Sequence, residues 1–457
     1  MFKKSLFIFR RDLRLEDNTG LIFALKNSDK VIPCFIFTPE QITKNSYRSD
    51  HCLQFMIESL EDLEEQLKNR DGRLFLFFEA PEKIVEKCIE ELDLDAVIVN
   101  RDYTPYSIKR DQKIASVCEK ASIAFHSFDD ALLHPPEKTL KSNNTPYSIF
   151  TPFYRNAAKI KVLPSTSNQH KNYYSRPIPF AESSALYRKI LPKRINQAAG
   201  GRSACLKILK NLKQFSHYKI DRNFPAKDAT THLSAHLKFT TCSPREIYYA
   251  LAKQLGLHSE LIRSLYWRDF FSSITFYFPN VFEGPFHKKF SRLRWSDDRT
   301  VFKKWCAGKT GFPIVDAGMR EMNQTGYMHN RVRMIAAFFL IKDLHINWQW
   351  GEKYFAQTLI DYDPAVNNGN WQWVASTGCD AQPYFRIFNP WTQQSKFDPD
   401  CVYIKRWIPE LSKIPSKAIH AWHLEENYAL SKNYPAPIVD HKKEAKSTLA
   451  SYKKAAS

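Results

Sequence analysis

An α/β domain followed by a mostly helical domain is the fold class predicted from three features of the chain. Between residue 5 and about residue 128, short β-rich runs alternate with amphipathic helical stretches. Residues 129 to about 200 show little periodicity, and beyond them glycine is sparse and apolar residues recur at helical spacing. At 457 residues the chain is too long for one ordinary core, which agrees with two domains.

The strand candidates are LFIF, VIPCFIF, RLFLFF, DAVIVN and SIAFHSF. Helical stretches such as HCLQFMIESLEDLEEQL and PEKIVEKCIEEL separate them, a pattern that implies a doubly wound parallel sheet covered on both faces. Gly20 and Gly72 are the only glycines in residues 1 to 128, so the glycine-rich dinucleotide fingerprint is missing. The fold alone therefore assigns no nucleotide cofactor to this domain. HPPEKTL, LPSTSNQ and SRPIPF read as a long connection over the surface. The expected limits are residues 1–130 for the α/β domain, 131–200 for the connection and 201–457 for the helical domain.

The composition, 43% hydrophobic and 25% charged, is that of a globular protein, with an unusual 14% of aromatic residues. A formal net charge of +19 favours a polyanionic partner, nucleic acid ahead of an anionic membrane surface, although a merely soluble basic protein shows the same excess. Nine cysteines without a CxxC pair build neither a disulfide framework nor a zinc site, and they argue against an iron–sulfur cluster. SLFIF is too short for a signal peptide and MIAAFFLI too short to span a bilayer. The expectation is a cytoplasmic protein with no metal and no membrane partner.

The stretch from Asn330 to Trp373 organises the helical domain. Val332, Ile335, Ala336, Phe339 and Leu340 fall at helical spacing, with Arg331 and Arg333 between them, roughly 200° apart around the axis. One arginine can meet a solvated anion, while an inward one needs a carboxylate or phosphate. Asp361 and Asp363 are at hand. Pro364 and Gly369 predict a tight turn after Asp363, presenting amides and the side chains of Asn367 and Asn368 to the edge of a polar heterocycle. A salt bridge and an asparagine-rich turn joining two helices account for the same residues. Trp348, Trp350, Trp371 and Trp373 lie nearby, and Trp295 and Trp305 just before. Clustered tryptophans are packing by default, but a series of readily oxidised indoles would also relay electrons from a buried redox pigment. Upstream, Tyr218, Arg222 and the run Thr230 to Ser234 form a polar lead into a helix that suits phosphate, although most such runs only cap helices.

Nearly the whole chain resembles the DNA photolyases of the photolyase/cryptochrome family, specifically the class I bacterial type. The likeness is carried by SLFIFRRDLRLEDN, TPFYRNA, LSAHL, SPREI, YWRDFF, GKTGFPIVDAGMREMNQTGYMHNRVRM, STGCDAQPYFRIFNP and YPAPIVDHKKEAKSTLASYKKA. So many ordered segments are far more specific than one short pattern. The resemblance implies FAD, its diphosphate and ribityl chain cradled by Tyr218, Thr230, Thr231, His232, Leu233 and Ser234. Arg268, Asn330, Arg333, Asp361, Tyr362 and Asp363 match the rest of the pocket, with Asp361 paired to Arg333. Asn367 matches the residue beside flavin N5, where an amide, a poor proton donor, helps hold anionic FADH⁻. Trp371, Trp348 and Trp295 match the family's electron relay and imply photoreduction of the flavin.

In this family the N-terminal domain holds a second, antenna chromophore: methenyltetrahydrofolate, a deazaflavin or a flavin. Lys44, Tyr106 and Ser107 stand where a folate-contacting His, Asn and Glu are matched, so the pigment is a different one or the site is empty. The implied partner is UV-damaged DNA with a pyrimidine dimer flipped out of the duplex. Arg222, Arg331, Arg386 and Gln393 match backbone grips, Trp267 and Trp373 the cavity walls, and Met334 an apolar contact. Taken singly, each Arg reads as a solvated charge and each Trp as core. Ser264, in SLYWRD, replaces the glutamate that hydrogen-bonds the dimer in the family's ELxWRE. The implied activity is blue-light-driven repair of cyclobutane pyrimidine dimers by a monomeric photo-lyase. The alternatives are a (6-4) photolyase, a cryptochrome-like photoreceptor and an inactive flavoprotein that only binds DNA. The chain ends at SYKKAAS without the long tail of many signalling cryptochromes, and that together with the cavity tryptophans weighs against a sensor.

Overall fold

Five strands pair in parallel: β1 (Phe2–Phe9), β2 (Ser28–Phe37), β3 (Phe75–Phe78), β4 (Ala96–Asn100) and β5 (Ala124–Phe128), in the order β3-β2-β1-β4-β5. Each expected apolar run becomes one of these strands, and β4, beside the central β1, is buried along its whole length. The computed structural model describes residues 1–195 and 198–456. Asn196 and Gln197, within the expected connection, and Ser457 lie outside the described residues.

The helices that cover the sheet start where the sequence supplies caps. Ser49 accepts a hydrogen bond from the amide of Cys52 at 3.2 Å and opens the Asp50–Lys68 helix, which buries Leu53, Ile57, Leu60, Leu63 and Leu67. Each such side chain stabilises the fold by about 1.5–3 kcal/mol on burial. Pro81 and Pro105 open the next two helices, at a position where a missing N–H breaks no bond. The strand order reverses between β1 and β4, and in a doubly wound sheet such a switch opens a crevice at the carboxyl ends of the strands.

The aperiodic connection is more ordered than its sequence suggests. It carries the helices Phe150–Ala157 and Ala185–Ile190, and it follows the sheet through two isolated bridges, Tyr173 with Val31 and Glu182 with Leu76. Backbone donors and acceptors left over on the sheet supply the reason, as in the Glu182 amide bonding the Leu76 carbonyl at 2.7 Å.

The chain packs as two compact units, Met1–Gln214 with Thr231–Pro279, and Phe215–Thr230 with Asn280–Ser457. The helices Leu233–Lys238, Pro244–Leu255 and Glu260–Tyr277 therefore pack with the sheet in the first unit. A buried ion network ties them there. Arg14, fully buried, bonds Asp130 at 2.5 Å and the Thr240 hydroxyl at 2.8 Å. Arg245 bonds Asp130 and Asp17, each at 2.9 Å, and the Ser243 hydroxyl also donates to Asp17. Burial pushes the Asp130 carboxyl up, but the Arg14 and Arg245 guanidiniums outweigh it and hold the pKa at about 2.

The second unit is built on the helices Pro313–Thr325, Asn330–Lys342, Trp348–Thr358 and Pro364–Ala375. Its core includes Trp305, Phe312, Met319, Phe339, Leu340, Trp371 and Trp422. The helix His441–Ala456 closes onto it, with Tyr452 donating to the Ala375 carbonyl at 2.7 Å and Thr448 to that of Lys342 at 2.6 Å. Among the described residues no helix is long and apolar enough to cross a membrane.

Replacing Asp130 by Asn leaves the buried Arg14 facing a neutral amide. Chemical denaturation is expected to register a loss of about 3–5 kcal/mol. The folded pKa lies below the ordinary 3.8, so the wild-type contribution is present above that value and drains as the pH falls toward about 2. That acid-limb component should be missing from the Asp130→Asn titration.

Candidate functional site

The segment after Asp363 is a helix, Pro364–Ala375, and not the tight turn expected from Pro364 and Gly369. Pro364 takes the first helical position, where its ring is preorganised and no hydrogen bond is lost. Asp363 caps the helix, accepting from the amides of Ala365 at 3.0 Å and Val366 at 3.2 Å. Interior Gly369 costs about 1 kcal/mol. Burial of Ala365, Trp371, Val374 and Ala375 offsets it. The helical rise stacks Asn367 one turn below Trp371, and Asn368 one turn below Gln372, which donates to it at 3.1 Å.

Asn367 donates its amide N–H to the Glu352 backbone carbonyl at 3.0 Å, which turns its own carbonyl oxygen the other way. Asn368 donates to the Val281 carbonyl at 3.1 Å. The Glu352 side chain is buried, and that burial pushes its carboxyl up to about 7 against a hydrogen bond from Asn368.

Arg331 and Arg333 do face different surroundings. Arg333 grips Asp361 with both terminal nitrogens, at 3.1 and 3.0 Å, and donates through Nε to the Met328 carbonyl at 2.7 Å. Burial alone would lower its pKa, but the Asp361 carboxylate reverses the shift and raises it. Arg331 bonds the Asn223 side chain at 2.6 Å and lies over the Phe397 ring at 4.3 Å. Its Nε is buried without a hydrogen-bond partner, as is Oε1 of Gln393. Burial, then the positive fields of Arg222 and Arg386, depress the pKa of Arg331, so three guanidiniums converge in this unit. Arg222 lies over Tyr218 at 5.3 Å, and exposed Arg386 donates to Gln382 at 3.0 Å. Thr230 and Tyr327 share a hydroxyl hydrogen bond of 3.0 Å. Asn330 is exposed, whereas Tyr362, Met334, Trp373 and Trp295 are half-buried. Trp348 and Trp371 are both 2% exposed.

In the first unit, His232 takes a left-handed conformation, φ 52°, ahead of the Leu233–Lys238 helix, and the Thr231 hydroxyl accepts from the Leu233 amide at 3.4 Å. Ser234 is exposed on that helix. Arg268 donates to the carbonyls of Ala131 at 2.5 Å and Leu237 at 3.1 Å. Trp267 stacks on Phe150 with ring centres 3.5 Å apart and planes at 8°, and Arg263 covers the Phe150 ring at 5.4 Å. Ser264 is exposed, its hydroxyl turned back to the Glu260 carbonyl at 2.9 Å.

At the carboxyl ends of β1 and β4, Arg10 pairs with Asp111 at 2.8 Å and Arg11 with Asp102 at 3.2 Å. Burial and then the charge of Arg110 bring the Arg10 pKa down to about 10. One terminal nitrogen of each of Arg10 and Arg110 is buried without a partner. Ser107 is buried in a chain with Thr104 and Asp102, while Lys44 and Tyr106 are exposed. No group of three or more His, Cys, Asp or Glu suited to a metal occurs among the described residues.

The chain thus combines a doubly wound α/β sheet with a helical unit that carries a paired inward arginine and an amide-lined helix. Residues 261–454 match the family model described as the FAD binding domain of DNA photolyase, and residues 5–170 the model described as DNA photolyase. Over 467 residues the chain is 37% identical to the deoxyribodipyrimidine photo-lyase of Alkalihalophilus pseudofirmus, covering 97% of each. It is similar to the archaeal photolyase from Sulfolobus tokodaii with two FAD molecules, at 41% identity and a TM-score of 0.89, covering 99% of this chain and 100% of that one. The class III photolyase from Agrobacterium tumefaciens gives 35% identity and a TM-score of 0.91, covering 100% and 98%. The chain belongs to the photolyase/cryptochrome family. It is a flavoprotein enzyme of the photo-lyase class, with FAD as its cofactor.

Three contacts at these positions escaped the sequence reading: Glu352 behind Asn367, Tyr327 behind Thr230, and Phe150 behind Trp267. Phe150 directly precedes the TPFYRNA segment, which offered a signal, whereas pairings at long separation leave no trace in one sequence. Replacing Asp361 by Asn should cost about 3 kcal/mol in the flavin-free protein by stranding Arg333. Thermal denaturation, with flavin absorbance per protein as a second readout, checks it.

Proposed function

We propose that this enzyme repairs cyclobutane pyrimidine dimers in UV-damaged DNA by light-driven electron transfer. The observation that carries this reading is the tethered Asn367 amide, whose oxygen is left to accept a hydrogen bond from a reduced flavin edge and which has no acidic proton to give. Tyr218, Thr230 to Ser234, Arg268, Asn330, Arg333, Asp361, Tyr362 and Asp363 are its proposed flavin contacts. The Arg333–Asp361 pair suits that role, being charged, rigid and shielded. When bound, the cofactor supplies light absorption and a one-electron donor, and splitting of the dimer returns the electron with no net redox change. Trp371, Trp348 and Trp295 are the proposed path by which the protein re-reduces it.

Arg222, Arg331, Arg386 and Gln393 grip the DNA backbone in this reading, supported by the unmet donor on Arg331. Trp267 and Trp373 flank the flipped dimer, with Met334 as an apolar contact and Ser264 beside it. The names of the full-length relatives favour the cyclobutane lesion over the (6-4) product. We assign residues 1–130 to antenna binding, 131–200 to the connection and 201–457 to catalysis, in a cytoplasmic class I monomer. The buried, unmet nitrogens of Arg10 and Arg110 suit an antenna with anionic or carbonyl groups, which methenyltetrahydrofolate, deazaflavins and flavins all carry.

Two oligonucleotides, one with a cyclobutane thymine dimer and one with a (6-4) photoproduct, distinguish the lesion types in blue light and darkness. Light-dependent loss of the cyclobutane dimer alone is expected, and repair of only the (6-4) product would overturn the assignment. Trp373→Ala should weaken binding of the dimer roughly ten- to hundredfold through lost stacking. In a salt titration of DNA affinity, Arg331→Ala should reduce the magnitude of the log–log slope by about 1.

A further inference from the structure

Trp305 is among the largest fully buried side chains, and it touches rings on two sides. Its centre lies 6.3 Å from Trp371 and 5.9 Å from Tyr354. Tyr354 is half-buried, and its hydroxyl reaches the exposed Asn323 side chain at 2.8 Å and the Cys306 carbonyl at 3.2 Å. Two ring-to-ring steps thus lead from Trp371 to a phenol at the surface. Among the described residues, Trp348 makes no ring contact this close with Trp371 or Trp295.

We propose that Trp305 and Tyr354 form a second electron-relay branch from Trp371, ending on a surface tyrosine. The inference rests on the reading of Trp371 as the donor nearest the bound flavin. The oxidant is a photoexcited oxidised flavin, to which Trp371 gives one electron. Trp305 returns one electron to Trp371, and Tyr354 returns one to Trp305. Tyr354 releases its phenolic proton to water at Asn323, leaving a neutral phenoxyl radical. An external thiol then restores the phenol with one hydrogen atom and becomes a thiyl radical.

The local chemistry favours this route. The Trp305 indole N–H donates to the Ala336 carbonyl at 3.1 Å, an acceptor that eases transient positive charge on the ring. Burial pushes the Tyr354 hydroxyl up to about 12, so it starts protonated at neutral pH and its proton leaves with the electron. The competing direction is poorer: Phe302, a weak electron donor, lies between Trp305 and Trp350, at 5.8 and 5.2 Å. The Arg299 guanidinium lies over Trp350 at 5.1 Å and opposes a cation radical there.

The test uses the full-length, FAD-loaded protein and follows flash-induced flavin reduction together with the electron paramagnetic resonance of ring-deuterated tyrosine. The wild type should show photoreduction, and Trp348→Phe should retain part of it with a tyrosyl signal. Adding Tyr354→Phe to Trp348→Phe should abolish that signal and reduce the remaining photoreduction roughly tenfold. Tyr354→Phe removes only a half-exposed hydroxyl, and flavin stoichiometry with circular dichroism verifies the fold, whereas Trp305→Phe opens a core cavity and serves as a secondary variant. Complete loss of photoreduction in Trp348→Phe, or a tyrosyl signal that survives Tyr354→Phe, overturns the branch and leaves the main relay standing. A wild type with no photoreduction overturns both.

Discussion

The Arg333–Asp361 ion pair is the constraint around which the second unit is arranged. Arg333 sits in the first turns of the Asn330–Lys342 helix, and Asp361 lies just before the cap of the Pro364–Ala375 helix. A guanidinium cannot lose its charge, so its burial is tolerable only with the carboxylate at two-point contact and a carbonyl on Nε. Meeting that requirement sets the angle at which the chain enters the next helix. Asn367, Trp371 and Trp373 inherit their positions from it, and the amide of Asn367 is then oriented by Glu352.

The first unit solves a similar problem with a larger network. Two arginines and two aspartates, with Ser243 and Thr240, hold the loop after β1, the end of the sheet and the Pro244–Leu255 helix together. Such networks contribute less net stability than their Coulomb energies suggest, because each charge loses its hydration. They contribute geometry, since only one arrangement satisfies every donor. This explains why residues beyond 230, read as part of a separate helical domain, pack with the α/β sheet.

The positive charge of the chain is unevenly matched. Arg14, Arg245, Arg320 and Arg333 each face carboxylates. Arg331 has its pKa depressed by burial and then by the positive fields of Arg222 and Arg386. Like charges held close together repel, and a polyanion relieves that repulsion. The aromatic residues show the same economy of position: Trp267 and Trp373 remain half-buried while Trp305, Trp348 and Trp371 fill the core.

The α/β half was legible because period and burial coincide there: five apolar runs of strand length, spaced by capped amphipathic helices, admit only a covered parallel sheet. Family membership and FAD were legible through ordered motifs along the whole chain. The Pro364–Ala375 helix was misread because local breaker signals were weighed without the cap and the core that overrule them. The partner of Arg333 could be guessed from charge, since a buried arginine demands a carboxylate and few were near. The Glu352 contact, the Phe150–Trp267 stack and the Trp371–Trp305–Tyr354 sequence of rings could not. Local sequence sets which residues are helical, apolar or charged, whereas the meeting of side chains far apart in the chain follows from how helices cross. That is decided only when the whole core closes at once.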